Sequence, residues 1–210
     1  MGEAKVLIGI GVATVLLLVG GVFLFSHKQA TQPVQADTQL LIRSDSNQIA
    51  TSSAKVTLVE FGDFQCPACG AAHPLVKQLL ADHDGKMTFV WRNFPLSVHK
   101  NAQIAAEAAE AAGGQGKYWE MHNLLFDRQA DWADSSQPVD MFVEYAKSLE
   151  LDPTKFKQAV EGHKFLAKIQ QDLSDGARLN VNVTPTFFLD GQKIDGWTDE
   201  IKTKINAQTK

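Results

Sequence analysis

The first pattern along the chain is an unbroken apolar run. Val6 to Phe25 is 20 residues without a charge, and a helix needs about 20 such residues to cross the hydrocarbon layer. The apolar region of a cleaved signal peptide is about 7–15 residues. The nearest small-residue cleavage pattern, Val34-Gln35-Ala36, lies far past Phe25. The expectation is an uncleaved single-pass anchor over residues 1–28, with a cleaved signal segment as the alternative. Residues 29–54 are rich in Gln, Thr, Ser and Asp with little periodicity. They read as a flexible linker, with Gln39-Leu40-Leu41-Ile42 as a short element packed on the folded body.

That body begins near Lys55. Val56-Thr57-Leu58-Val59-Glu60-Phe61 reads as a buried strand with one acid inside it. From Gly70 onward Ala72, Leu75, Val76, Leu79 and Leu80 fall at helical spacing, and Pro74 is expected to kink that helix. Met87 to Arg92 alternates and reads as a second strand, ended by Asn93-Phe94-Pro95. Strand, helix, strand over this distance predicts two parallel strands. From His99 to about Asn180 the spacing turns helical. An alanine-rich helix with a polar stripe (Lys100, Gln103, Glu107, Glu110) closes at Gly113-Gly114. Helices over Tyr118–Asp127 and Val139–Leu149 follow, then one opened by Asp152-Pro153 and one from about Lys164 to Leu179. Thr186–Leu189 and Gln192–Ile194 read as a hairpin across Asp190-Gly191. A last helix starts near Thr198, with Asp199 and Glu200 in its first turn. The class is α/β: a first half over 55–98, a helical insertion over 99–180 and a second half over 181–210.

Composition adds little. The 210 residues carry a net charge of −4 with both signs interspersed. No basic patch stands out, so nucleic acid is not expected as a partner. The aromatics Phe94, Trp119, Phe126, Trp132, Phe187 and Phe188 read as core, and Asp63 as a solvated loop residue.

The chemistry concentrates in Cys66-Pro67-Ala68-Cys69, which holds both cysteines of the chain at a strand-to-helix junction. Unpaired N–H groups and the dipole at a helix start favour a thiolate. A thiolate with a second thiol one turn away can attack a disulfide and then resolve the mixed disulfide. Half a zinc site is the first alternative, but structural zinc takes about four protein ligands and no second cysteine pair exists. An inert disulfide across two residues would constrain the chain little. Cys66, Cys69 and His73 as a copper or zinc site is a further alternative, although a histidine on a first helix more often packs. An anchored dithiol without other cysteines suits an oxidising compartment. The expected location is therefore the cell membrane with the body extracytoplasmic.

The order strand, Cys-Pro-Ala-Cys, helix with Pro74, then Val183-Thr184-Pro185-Thr186 before a strand and hairpin resembles the thioredoxin fold. The helical insertion and Glu60, six residues before Cys66, make the body similar to the DsbA-like thiol:disulfide oxidoreductases. That resemblance implies Cys66 as the attacking cysteine and Cys69 as the buried resolving one. It implies Pro185 as a cis-proline presenting an edge to a substrate chain, with Thr184 touching sulfur and substrate. Glu60 would be a buried acid taking the proton of Cys69, and Pro67 and Ala68 would tune the thiolate. The most oxidising relatives carry histidine where Ala68 stands, so a less oxidising couple is expected. The implied function is a membrane-anchored extracytoplasmic oxidoreductase of DsbA type acting on unfolded or cysteine-containing proteins. A quinone-linked membrane partner, DsbB-like or vitamin K epoxide reductase-like, would reoxidise it. No bound cofactor is called for, because the dithiol is itself the redox group. The alternatives are a disulfide reductase or isomerase and a copper-delivery protein on the same fold.

Overall fold

A computed structural model of the chain describes residues 36–197 and 199–209. The expected anchor over Val6–Phe25 lies outside the described residues, as does Thr198. Among the described residues no helix is long and apolar enough to cross a membrane.

The framework is a five-stranded mixed sheet in the order β1-β3-β2-β4-β5. β1 is Asn47–Ile49, β2 is Val56–Gly62, β3 is Met87–Asn93, β4 is Thr186–Leu189 and β5 is Gln192–Asp195. β2 and β3 lie parallel at the centre, from Val56 opposite Met87 to Gly62 opposite Asn93. The other three pairings are antiparallel. The parallel pair is joined by the long helix that begins at the cysteines, as expected for a βαβ crossover.

Strand alternation decides which side chains meet. Val56 and Leu58 of β2, Met87, Phe89 and Trp91 of β3, and Phe187 and Leu189 of β4 share one buried cluster with both cysteines. Val59, Phe61, Val90 and Phe188 turn to the other face, against Leu41, Phe94, Leu179 and Val181. By the same period of two, Glu60 points to the face that carries the cysteines. Gly62 ends β2 where a Cβ would run into the Trp91 ring, so the strand can close on that ring only without a side chain.

Apart from a short helix at Gln129–Trp132 that the sequence spacing did not give, the helices follow the predicted periods. α1 is Thr38–Leu41, α2 Pro67–Asp82, α3 Ala102–Gly113, α4 Tyr118–Asp127 and α5 Gln129–Trp132. α6 is Pro138–Ser148, α7 Pro153–Glu161, α8 Leu166–Arg178 and α9 Asp199–Gln208. Asp152 caps α7 by accepting from the N–H groups of Thr154 and Lys155, both at 3.0 Å. α2 runs through Pro74 without a break in its helical span.

Three placements differ from the sequence reading. Residues 47–49, read as linker, belong to the body: β1 extends the sheet beside β3, while the short element expected at Gln39–Ile42 is present as α1, which buries Leu41. The triplet Asn47-Gln48-Ile49, with a single apolar residue, gave no strand signal; its pairing with β3 is what makes it one. Secondly, only half of the polar stripe beginning at Lys100 faces water: Lys100 and Gln103 are exposed, Glu107 and Glu110 are not. Glu107 and Glu110 are buried; Glu107 meets His163 Nδ1 at 3.0 Å, and Glu110 accepts from Lys168 at 2.6 Å, Asn47 at 2.7 Å and Asn93 at 2.9 Å. The alanines of α3 let neighbouring elements close around its second half, which buries Glu107 and Glu110 too. Thirdly, Leu75 on α2 is exposed.

Below the sheet, Arg92 of β3 is fully buried. Its guanidinium donates to Asp172 at 2.8 Å, to Asp175 at 2.6 Å and to the carbonyls of Leu40 and Leu41 at 2.6 and 2.7 Å. One side chain thus ties the central strand to α8 and α1.

Candidate active site

β2 hands the chain to α2 through a turn built on Asp63. Its carboxylate accepts the Gln65 N–H at 2.7 Å, an Asx turn, and the Cys66 N–H bonds back to the Asp63 carbonyl at 3.1 Å. The other carboxylate oxygen takes the Leu96 N–H at 2.9 Å and His99 Nδ1 at 2.6 Å. Asp63 is therefore buried, not the solvated loop residue expected from sequence. Cys66 emerges as the N-cap of α2 in extended conformation, with Pro67 as the first helical residue, the position where a missing N–H costs nothing.

Both thiols are free. Cys66 keeps 7% of its surface exposed and Cys69 none, so only the first sulfur is open to attack from outside. The Cys66 thiol donates to the Thr184 carbonyl at 3.3 Å, and the Asp63 N–H donates to Cys69 Sγ at 3.5 Å. The Thr184–Pro185 bond is cis, and this turn lies against the reactive sulfur. Pro67, Ala68 and Val183 are exposed next to it in sequence.

The electrostatics separate the two sulfurs. The Cys69 thiol, donating to Cys66, holds Cys66 down to about 5. Burial opposes this, and the Thr184 hydroxyl and the N–H groups of Cys69 and Ala68 add to it. That hydroxyl is buried without another partner, and so is available to the thiolate. Burial pushes Cys69 well above the ordinary thiol range, helped by its bond to Cys66 and by the charges of Glu60 and Cys66.

Glu60 is buried on the same face, and burial followed by the Cys66 charge pushes it up to about 8. The folded protein thus retains a proton that the unfolded chain loses near 4.5. This contribution to stability is complete below that lower value and lost as pH rises through about 8, with a slope approaching 1.4 kcal/mol per pH unit at most. Cys66 acts oppositely, because its folded value lies below the unfolded 9.0, so wild type alone would show partial cancellation. The readable quantity is the difference from Glu60→Gln. Urea unfolding should show the variant gaining on wild type as pH rises from about 5 to about 8; a constant difference would mean Glu60 does not titrate there.

Side-chain amides that the sequence reading passed over hold the cysteine turn. Gln129 Nε2 donates to the carbonyls of Phe64 at 2.7 Å and Cys66 at 3.0 Å. Gln65 Nε2 donates to Ala133 O at 2.7 Å, and its Oε1 accepts the Asn101 N–H at 2.7 Å. Asn101 in turn donates to the carbonyls of Ala133 and Ser135. Asp63 carried a readable signal, a turn-forming residue directly after a strand. The amides carried none, because their partners are backbone groups far along the chain.

His73 does not join the sulfurs. It stacks on Phe126 at 4.9 Å, with His122 at 5.4 Å, and burial holds both histidines below their ordinary range, at about 4 and about 3. Among the described residues no group of three or more metal-ligating side chains is assembled.

A buried dithiol at a helix start beside a cis-proline turn, on a mixed sheet with a helical insertion, defines a class, and comparison agrees with it. The chain matches the thioredoxin family over residues 45–206 and belongs to that family, with the fold of its DsbA-like members. The oxidised BdbD of Bacillus subtilis is similar with a TM-score of 0.71 at 24% identity, over 83% of this chain and 96% of that one. A thioredoxin-like oxidoreductase from Silicibacter pomeroyi DSS-3 is similar with a TM-score of 0.68 at 25% identity, over 82% of this chain and 97% of that one. These likenesses show the fold.

Curated relatives carry another name. One from Salinispora arenicola, 46% identical over 145 residues, is a Na(+)/H(+) antiporter NhaA 1; the match takes in 68% of this chain and 21% of the relative. Another relative of that name, from Mycolicibacterium vanbaalenii, is 35% identical over 90% of this chain and 31% of the relative. The chain thus spans about a fifth to a third of the length of such relatives. This corrects the functional expectation of a membrane-anchored extracytoplasmic enzyme of DsbA type: relatives at 35–46% identity are named as antiporters. The physical reason is that a Cys-x-x-Cys pair on this fold specifies a local chemistry and not the protein that uses it.

Proposed function

We propose that Cys66 and Cys69 form a thiol–disulfide exchange centre within a domain that the antiporter-named relatives share. One observation carries the reading: a partly open sulfur at a helix start, one turn from a closed one, against the Thr184–Pro185 turn. The Cys66 thiolate attacks one sulfur of a client disulfide, forming a mixed disulfide and releasing the other client sulfur as thiolate. Cys69, its proton passing toward Glu60, attacks Cys66 Sγ. The second client thiolate leaves and a Cys66–Cys69 disulfide remains; the client is reduced and the pair oxidised. Run backwards, the same steps donate a disulfide. The client class that fits is a cysteine-bearing polypeptide lying along Val183-Thr184-Pro185, and a quinone-linked membrane partner would complete an oxidative cycle.

The test equilibrates the full chain with glutathione mixtures, quenches in acid and counts alkylated thiols by mass. Interconversion of the two-thiol form with an internal disulfide, lost in Cys66→Ser, is the expected result. Two free thiols across the whole range would refute the reading.

A second reading has the relatives' names behind it: the whole protein takes part in Na+/H+ exchange, with the dithiol as its redox-responsive part. Vesicles holding the full chain should then show sodium-dependent proton movement that changes when the dithiol is oxidised. No sodium-dependent movement would remove this reading.

A further inference from the structure

The cysteine turn is held by a side chain that belongs to neither half of the sheet. Gln129 is the first residue of α5, in the helical insertion, 63 positions from Cys66. Its amide nitrogen spends its two hydrogens on the carbonyls of Phe64 and Cys66, at 2.7 and 3.0 Å. Its amide oxygen lies over Gly70, where an added Cβ would come within 2.7 Å of it. The Cys66 carbonyl also accepts the Gly70 N–H at 3.0 Å, so it carries a second donor beyond the helix bond. Gln129 thus spans the Phe64–Gly70 turn from carbonyl to glycine. We infer that Gln129 is a positioning residue for Cys66, fixing the main chain of the cysteine turn so that Sγ meets the helix-start N–H groups and the Thr184 turn.

The physical argument is one of tolerance. A thiolate gains from N–H donors only where they point at it, and such constellations work when held within about 0.5 Å. Cys66 has no side-chain capping bond of its own, and its main chain is held by Asp63 on one side and Gln129 on the other. Without the Gln129 amide, two carbonyls lose their side-chain donor and the turn can drift from the geometry that ionises the sulfur. The insertion would then act on the chemistry without touching it.

This inference rests on the proposal that Cys66 is the nucleophile. The experiment therefore reads Cys66 ionisation directly in the reduced full-length protein, through the pH dependence of iodoacetamide alkylation followed by mass spectrometry. Gln129→Leu and Gln129→Met keep bulk and remove the donors without adding charge; near-UV circular dichroism checks each fold, and the Met variant serves where the Leu variant does not fold. The expected result is a Cys66 titration raised by about one pH unit in a folded variant, which is about a tenfold loss of thiolate below the wild-type midpoint. Unchanged midpoints in a folded variant, with wild type titrating well below the ordinary thiol range, would overturn this inference and leave the exchange reading standing. A wild-type midpoint near the ordinary thiol value would overturn both.

Discussion

Cys66→Ser is expected to reduce disulfide exchange to the uncatalysed background, whereas Cys69→Ser should accumulate a covalent Cys66–client adduct. The asymmetry follows from exposure and charge: the open sulfur ionises near 5, while burial keeps the other protonated. Wild-type alkylation should therefore be flat above about pH 6 and fall about tenfold per pH unit well below 5. An ordinary thiol at 9.0 would be about 1% ionised at pH 7, so Cys66 carries roughly a hundredfold more thiolate there. Nucleophilicity falls as pKa falls, by about 0.4–0.5 log per log, and over this range that offsets most of the gain. The advantage of the low value lies elsewhere. A stable thiolate is a better leaving group, so the mixed disulfide breaks toward Cys66 and the reduced pair is favoured. Ala68, unable to add a hydrogen bond from its side chain, leaves this stabilisation to Cys69, Thr184 and the backbone. Adduct formation by Cys66→Ser with Cys69 intact would reverse the assignment of roles. Mass spectrometry after non-reducing quench distinguishes the outcomes.

Arg92→Met should produce the largest loss of stability. The substitution strips the fully buried cation from Asp172, Asp175 and the carbonyls of Leu40 and Leu41. Breaking a buried ion pair by removing one partner costs about 3–5 kcal/mol, because the other charge stays buried. Against a total of about 5–15 kcal/mol for an ordinary domain, that is a large share. Arg43 also reaches Asp172 and Asp175, at 2.9 and 2.6 Å, but is partly exposed, so Arg43→Met should cost clearly less. Urea midpoints of the two variants measure the difference. Equal losses would mean that Arg92's burial and its carbonyl bonds contribute nothing beyond its charge.

Two charged groups show why the sequence misleads about position. Glu60 sits in an apolar strand; counting in twos pairs it with Leu58, and only the packed sheet shows that this face is interior and carries the cysteines. Asp63 is three residues on, past the end of β2, where counting stops. Its burial comes from Leu96 and His99 folding back over it. The same holds for Glu107 and Glu110: spacing places them on one stripe with the exposed Lys100 and Gln103, and only the packing against His163 for one, and β1, β3 and α8 for the other, shows that these two are interior.

What the amino-acid order determined by itself is local. It set the two parallel strands, the helix beginning at the cysteines, the order of the insertion's longer helices and the hairpin, because each is encoded in the period of neighbouring residues; the four-residue helix at Gln129–Trp132 is too short to leave one. The Cys-x-x-Cys spacing likewise placed two thiols one helical turn apart. Only the tertiary structure decided what those thiols face. The Thr184 carbonyl reaches Cys66 across 118 positions, the Gln129 amide reaches it from the insertion, and residues 47–49 become a strand by lying beside β3. Such contacts depend on distances between remote segments, which no period along the chain records.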